Sequence, residues 1–148
     1  MGLSVDGPKD IHDAFRVDKR GLGSFDRVME GHAHLIAADV DVNILCTIHS
    51  TNEHRGAEVY RFFRDELEAR FIQFIPIVEP KIFRETAPQK WPDYLMPDMD
   101  DPRARPGSPG SVVEEWCVDP EDYGDFLITI FDEWRTKDLG RIYVHFFD

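Results

Sequence analysis

Residues 71–78 have the sequence Phe-Ile-Gln-Phe-Ile-Pro-Ile-Val, and this stretch decides the fold. Gln73 is the one polar residue in the run. A strand that is nearly continuous in apolar residues is typical of a parallel sheet covered on both faces. We therefore expect a buried parallel strand over residues 70–79.

Strand and helix patterns alternate on the N-terminal side of this segment. A short strand is expected over residues 3–6, closed by a Gly-Pro turn. Ser24 is an expected N-cap, and the apolar residues after it recur at helical spacing to about residue 39. Another strand is expected over 40–49, followed by a helix over 57–69.

The pattern changes on the C-terminal side. Residues 80–110 hold seven of the ten prolines of the chain, which predicts a long irregular insertion, because proline interrupts both helices and sheet ladders. Asp119 followed by Pro120 is typical of a helix start, and this helix should end before Gly140. A last strand is expected over 141–147.

The resulting order of elements predicts an α/β fold with a parallel sheet. We expect one domain, residues 1–148, forming a partial (β/α) barrel of about four strands and three helices, with the proline-rich insertion at about 80–110. Both ends of the sequence lie on strands, which is expected of a fragment of a longer barrel. Open barrel edges would also favour self-association.

Composition limits the possible partners. The formal net charge of −12 argues against nucleic acid and anionic membrane surfaces as partners, because like charges repel. No apolar run approaches the length of a membrane span, and the N-terminus has no secretory pattern. Two cysteines do not indicate an oxidising compartment, so a cytoplasmic location is expected.

Two groups of residues are candidates for ligand binding. Ser4 lies at the carboxyl end of the first strand, and Arg16 follows it closely, so a hydroxyl and a guanidinium there would suit a carboxylate. The alternative is a plain turn with a solvated Arg16. Gln73 and Glu79 face either a ligand at the barrel mouth or satisfied partners in the core.

The histidines and cysteines do not define a metal site. Cys46 lies in an apolar run and is expected to be a buried thiol. His32 lies on the apolar face of the first predicted long helix and is expected to be a packed core histidine, whereas His49 and His145 are placed to point towards the barrel mouth. No spacing indicates zinc ligands or a catalytic carboxylate pair.

Several stretches together resemble the middle of anaerobic sulfatase-maturating enzymes, a family of radical S-adenosylmethionine (AdoMet) enzymes. The similar segments cover nearly the whole chain except the insertion. They are Ser4-Val5-Asp6-Gly7-Pro8, His12-Asp13, Arg16-Val17, residues 23–29, 43–45, 58–62, 71–76, 120–127, 131–134 and 144–148.

The resemblance implies a partial (β/α) barrel, iron–sulfur clusters, AdoMet, and conversion of a sulfatase cysteine or serine to formylglycine. Ser4 and Arg16 resemble the family's contacts to the methionine part of the cofactor. The Phe-Ile-Pro segment resembles a strand that lines the cofactor pocket, which implies that Ile77 touches AdoMet and that Gln73 faces the same pocket.

The chain also departs from this family. The CxxxCxxC motif that holds the [4Fe–4S] cluster, the cysteines of the auxiliary clusters and the family's catalytic aspartate are absent. Cys46 and Cys117 have neither the spacing nor the position to replace them. We therefore expect no cluster and no activity from this chain alone. The alternatives are a non-catalytic α/β domain that binds a ligand or protein, and a radical enzyme that modifies another peptide.

Overall fold

A computed structural model describes residues 1–82, 97–98 and 100–147. These residues form one four-stranded sheet in which every neighbouring pair of strands is parallel, in the order β1-β2-β3-β4. The strands are β1 (Gly2–Ser4), β2 (Asn43–Ile48), β3 (Phe71–Pro76) and β4 (Tyr143–Val144). Because spatial order follows chain order, the sheet winds in one direction, as in part of a (β/α) barrel. The predicted fold class is confirmed.

One face of the sheet carries the core. In β2, the alternate residues Ile44, Cys46 and Ile48 are buried, and Ile72 and Phe74 occupy the same face of β3. This alternation follows from the two-residue period of a strand. The helices cover this face, and their buried apolar side chains join the strand residues in a single cluster.

The opposite, inner face of the sheet is largely open. Phe71 remains 43% exposed and Ile75 39% exposed, although both lie on the most apolar strand of the chain. The expectation that this strand is covered on both faces is therefore wrong for the described residues. The apolar run predicted the strand correctly, but a run alone does not say which elements cover each face.

The described residues contain four α-helices rather than three. They are α1 (Lys9–Phe15), α2 (Phe25–Ala37), α3 (Gly56–Arg61) and α4 (Pro120–Lys137), and α3 continues as a π-helix over Phe62–Glu66. Helix α1 is the unexpected one, because it buries just Ile11 and His12 and so lacks an apolar stripe. No described helix has both the length and the hydropathy required to cross a membrane.

The helix termini test two predicted caps. Asp119 caps α4 as predicted, since its side chain accepts a hydrogen bond from the Glu121 N–H. Ser24 precedes α2 but makes no capping bond. The Phe25 N–H instead donates to Asp13 at 2.9 Å, so a side chain from α1 fixes the start of α2. Gly140 follows α4 with φ +77°, a conformation that glycine adopts at little cost.

About half of the predicted insertion, residues 83–96 and 99, lies outside the described residues. Its described part contains a 3₁₀ turn at Pro102–Ala104 and a single bridge between Pro80 and Val113. The single-domain boundary and the irregular character of the segment stay predictions.

A polar network joins α3 and its π-helix to α4. The Tyr60 hydroxyl donates to the buried Asp138 at 2.9 Å, and the Arg64 guanidinium lies between Asp138 and Glu133. Arg61 and Lys137 also contact Glu133. These cations hold the pKa of the Glu133 carboxyl at about 2. The network holds α3 and α4 together on the core face of the sheet.

Candidate functional site

The carboxyl ends of the parallel strands meet at one edge of the sheet, where α/β proteins bind ligands. Asp6 lies two residues beyond β1, Thr47 lies near the end of β2, and Ile77 follows β3. In the sheet, Ser4 is paired with Leu45, and Leu45 with Gln73. Residues paired in register share a face, so the side chains of Ser4 and Gln73 point to the open inner face.

A buried ion pair occupies this edge. The Asp6 side chain is 2% exposed, and its carboxylate accepts hydrogen bonds from Nε and Nη2 of Arg16. The Thr47 N–H donates to the same carboxylate at 2.9 Å, and Arg16 Nη2 also donates to the Thr47 hydroxyl at 3.2 Å. The paired carboxylate raises the pKa of Arg16 above its ordinary value. The guanidinium is therefore charged and fixed across the ends of two strands.

The alternative prediction of a plain turn with a solvated Arg16 is wrong, because the guanidinium is bound to Asp6 and Thr47. The Nη1 atom of Arg16 makes no hydrogen bond to the described residues, and its side chain is 32% exposed. One edge of the guanidinium thus remains available to a ligand. Because Asp6 already compensates the positive charge, Arg16 is a directional donor more than a source of net attraction.

The backbone that carries Arg16 is held by a second set of hydrogen bonds. The Ser24 hydroxyl donates to the Arg16 carbonyl at 2.8 Å and lies 3.1 Å from His12 Nε2. The Asp6 N–H points to His12 Nδ1 at 3.4 Å. This arrangement requires a neutral ring protonated on Nε2, in agreement with burial, which lowers the pKa of His12. His12 and Ser24 therefore position the ion pair.

The loop after β2 is tied to the same edge by Asn52, which is fully buried. Its amide nitrogen donates to the carbonyls of Asp6 and Thr47, and its side-chain oxygen accepts the His49 N–H at 2.9 Å. The His49 ring is 3% exposed and packs against Phe15, with ring centroids 4.6 Å apart. His49 Nε2 has no hydrogen-bond partner among the described residues.

The four predicted site residues occupy one region but do not form a single contact cluster. Arg16 binds at the level of Thr47, two residues along β2 from the row that contains Ser4 and Gln73. This separation corresponds to about 7 Å along a strand. Ile77 lies just beyond β3, where its N–H donates to the Ile48 carbonyl. The four positions therefore lie in successive rows near the carboxyl edge of the sheet.

Sequence reasoning missed most of the groups that organise this edge. Thr47 and Asn52 had no motif to mark them, because their roles come from contacts between distant parts of the chain. Asp6 lies inside a quoted motif, at the end of the predicted strand over residues 3–6, but the sequence predicts no ion pair for it. The sequence offers one sign of this ion pair. Asp6 and Arg16 have opposite charges and lie ten residues apart, on either side of α1.

The described residues do not fit an iron–sulfur cluster. Cys46 and Cys117 are both buried and unpaired, and burial raises the pKa of each thiol, whereas a cluster requires thiolates. Among the described residues, one group of possible metal ligands comes together, consisting of Glu53, His54 and Asp122. Glu53 accepts the Asp119 N–H at the start of α4, which explains its position structurally.

An α/β fold with donor groups at the carboxyl edge of its sheet is typical of partial barrels that bind ligands. Comparison with known proteins shows which of these barrels the chain resembles. Over its full length the chain is 33% identical to a serine-type anaerobic sulfatase-maturating enzyme of Bacteroides thetaiotaomicron. It is 30% identical to a cysteine-type enzyme of Clostridium novyi. The chain spans about a third of the length of these relatives. No protein-family model matches it.

Solved structures agree with the sequence comparison. The native enzyme anSMEcpe with bound AdoMet aligns with 99% of the chain at 28% identity and a TM-score of 0.72, using 33% of its own length. The same enzyme with AdoMet and the peptide Cp18Cys aligns equally well. The resemblance to anaerobic sulfatase-maturating enzymes is confirmed.

Proposed function

We propose that this chain is the AdoMet-cradling portion of an enzyme of the anaerobic sulfatase-maturating type. The observation that carries the proposal is the alignment of 99% of the chain with structures that contain bound AdoMet. The carboxyl edge supports it, because ligand groups of an α/β sheet lie there. The proposed reaction of the full enzyme oxidises a cysteine or serine of a sulfatase polypeptide to formylglycine.

We assign roles to the predicted residues on the basis of their positions. The free edge of Arg16, fixed by Asp6, would donate to the methionyl carboxylate of AdoMet together with the Ser4 hydroxyl. Gln73 would offer its amide from the inner face, and Ile77 would provide apolar contact beyond β3. Asp6 acts through Arg16, since its own carboxylate is already occupied.

The chain's own residues bind and orient the cofactor but do not start its chemistry. In the full enzyme, AdoMet would supply the radical chemistry, and the residues of this chain would hold and orient it. The buried thiols of this chain do not fit an iron–sulfur cluster. We therefore expect binding without cleavage, and a cytoplasmic setting remains part of the proposal.

Two alternatives follow from the same observations. A non-catalytic α/β binding domain is favoured by the lack of a thiolate set suited to a cluster. A radical enzyme that modifies another peptide is compatible with a relative's structure that contains AdoMet and a peptide. The first alternative predicts that the chain does not bind AdoMet. The second predicts that the chain binds AdoMet but that a full-length relative carrying this segment does not modify sulfatase peptides.

Calorimetric titration of AdoMet into the chain tests the proposal. Loss of one charge-assisted contact in Arg16→Ala should weaken binding by roughly ten- to a hundredfold, with a smaller loss in Ser4→Ala. Arg20→Ala is the matched control, because Arg20 is exposed and Asp18 is its one ionic partner among the described residues. Arg16→Lys keeps the positive charge beside Asp6, so it serves as a folded variant if Arg16→Ala does not fold. Equal affinity in all folded variants would remove Arg16 and Ser4 from the site.

Anaerobic reconstitution with iron, sulfide, a reductant and AdoMet tests the expected lack of cleavage. The expected result is no stoichiometric [4Fe–4S] spectrum and no release of 5′-deoxyadenosine. Observation of both would contradict the assignment of Cys46 and Cys117 as buried, inert thiols.

The open inner face and the sheet edges also support the proposal that the isolated chain self-associates. Phe71 and Tyr143 are more than 40% exposed and lie side by side on β3 and β4. Sedimentation velocity should show concentration-dependent association, and a monomer at all concentrations would contradict it.

A further inference from the structure

His49 has an unusual environment for a core histidine. The residue is 3% exposed, yet Nε2 has no hydrogen-bond partner among the described residues. A buried polar atom without a partner costs about 1–3 kcal/mol, so such atoms are rare away from binding sites. His49 follows the last residue of β2, at the same edge as Arg16 and Thr47.

The hydrogen bonds of the other ring nitrogen assign the proton. His49 Nδ1 lies 2.8 Å from the Thr51 hydroxyl and 3.4 Å from the Thr51 N–H, which donates to it. A nitrogen that accepts from a backbone N–H carries no proton in the neutral ring. Burial lowers the pKa of His49, which keeps the ring neutral near pH 7. Nε2–H is therefore a buried donor that requires an acceptor.

The aromatic ring of Phe15 packs against the His49 ring. Its ring meets the imidazole at an interplanar angle of 65°, and Phe15 is 44% exposed while His49 is buried. Phe15 ends α1 and immediately precedes Arg16, so both side chains belong to the same short segment. Because Nε2 is buried, a ligand reaches it only when a neighbouring side chain, such as that of Phe15, moves aside.

We propose that His49 is a ligand-binding residue whose Nε2–H donates to an acceptor oxygen of AdoMet at the carboxyl edge. This inference rests on the proposed AdoMet function and adds a contact to it. Two oxygen groups of AdoMet have the required chemistry, the methionyl carboxylate and the ribose hydroxyls.

The test combines binding with ¹⁵N NMR of the imidazole. In the unliganded chain, the spectrum should show the Nε2–H form of His49. Saturating AdoMet should shift Nε2 while Nδ1 stays an acceptor. Methionine lacks the ribose and methylthioadenosine lacks the carboxylate, so the compound that reproduces the shift identifies the oxygen. AdoMet binding without a His49 shift overturns this inference and leaves the proposed function intact, whereas no AdoMet binding overturns both.

Variants provide the second readout. His49→Leu should weaken AdoMet binding about tenfold or more, because it removes the donor, and His49→Gln should recover part of the affinity through its amide N–H. His34→Phe is the control, since His34 is exposed on α2. Unfolding of His49→Leu is monitored alongside, because the change removes Nδ1, which accepts from Thr51, together with the unpartnered Nε2. Equal affinity in folded His49→Leu would show that His49 is a packed core residue alone.

Discussion

Replacement of Asp6 tests the part of the site on which the other contacts depend. Asp6→Ala removes two hydrogen bonds to Arg16 and one from the Thr47 N–H, all at a carboxylate that is 2% exposed. Breaking a buried pair by removing one partner costs about 3–5 kcal/mol. Arg16 is partly hydrated, so we expect about 3 kcal/mol, at the lower end of that range.

Urea unfolding followed by circular dichroism measures this loss. With an m value of about 1.5 kcal/mol per M, a loss of about 3 kcal/mol lowers the unfolding midpoint by about 2 M. Asp6→Asn should cost less, because its side-chain oxygen can still accept the Thr47 N–H. Asp26→Ala is the control, since its pair with Lys9 is solvent-exposed and should change stability by less than about 1 kcal/mol.

A double-mutant cycle decides whether the Asp6 loss arises from Arg16. The combined Asp6→Ala and Arg16→Ala variant should be more stable than the sum of the single losses predicts, by about 1–3 kcal/mol, because each single change leaves a charge unpaired. Additive losses, or an Asp6→Ala midpoint within 0.3 M of the unmodified chain, would refute the ion-pair account.

Other predictions concern stability away from the site. Glu133 has a pKa of about 2 in the folded chain, so its contribution to stability is fully present above about pH 5 and is lost as the pH falls towards 2. Glu133→Gln should therefore reduce the fall in the free energy of unfolding between pH 5 and pH 2, measured by unfolding curves across that range. Gly31→Ala should raise the free energy of unfolding by about 0.5–1 kcal/mol, because the added methyl meets nothing within 4 Å and alanine favours the helix. Gly23→Ala should lower the free energy of unfolding by about 1 kcal/mol or more, because the new Cβ would overlap the Asp13 carboxylate that caps α2. A Gly23→Ala variant that is more stable than the unmodified chain would contradict that packing.

The sheet was predictable from the sequence because its signal is local. The apolar runs that contain β2 and β3 are contiguous in the sequence, so each of these strands is marked by its own residues. Helix α1 was not predictable in the same way, because just two of its residues are buried. The coverage of the inner face was predicted wrongly, since it depends on what packs there and not on the strand.

The candidate site was predictable only in part. Arg16 and Ser4 follow from the strand-end rule and the family resemblance. The role of Asn52 does not, because its amide joins carbonyls at positions 6 and 47, a contact that no spacing encodes. Ser24 shows the reverse, since its expected capping role is replaced by bonds to His12 and Arg16.

Backbone amide shifts recorded during titration with AdoMet test the central claim most directly. The account predicts perturbations concentrated at the carboxyl edge, at Asp6, Arg16, Thr47 and the residues after β3, with little change at the opposite edge near Asn43 and Phe71. No perturbation at saturating AdoMet, or one centred on the opposite edge, would contradict the assignment of this chain as an AdoMet-cradling segment.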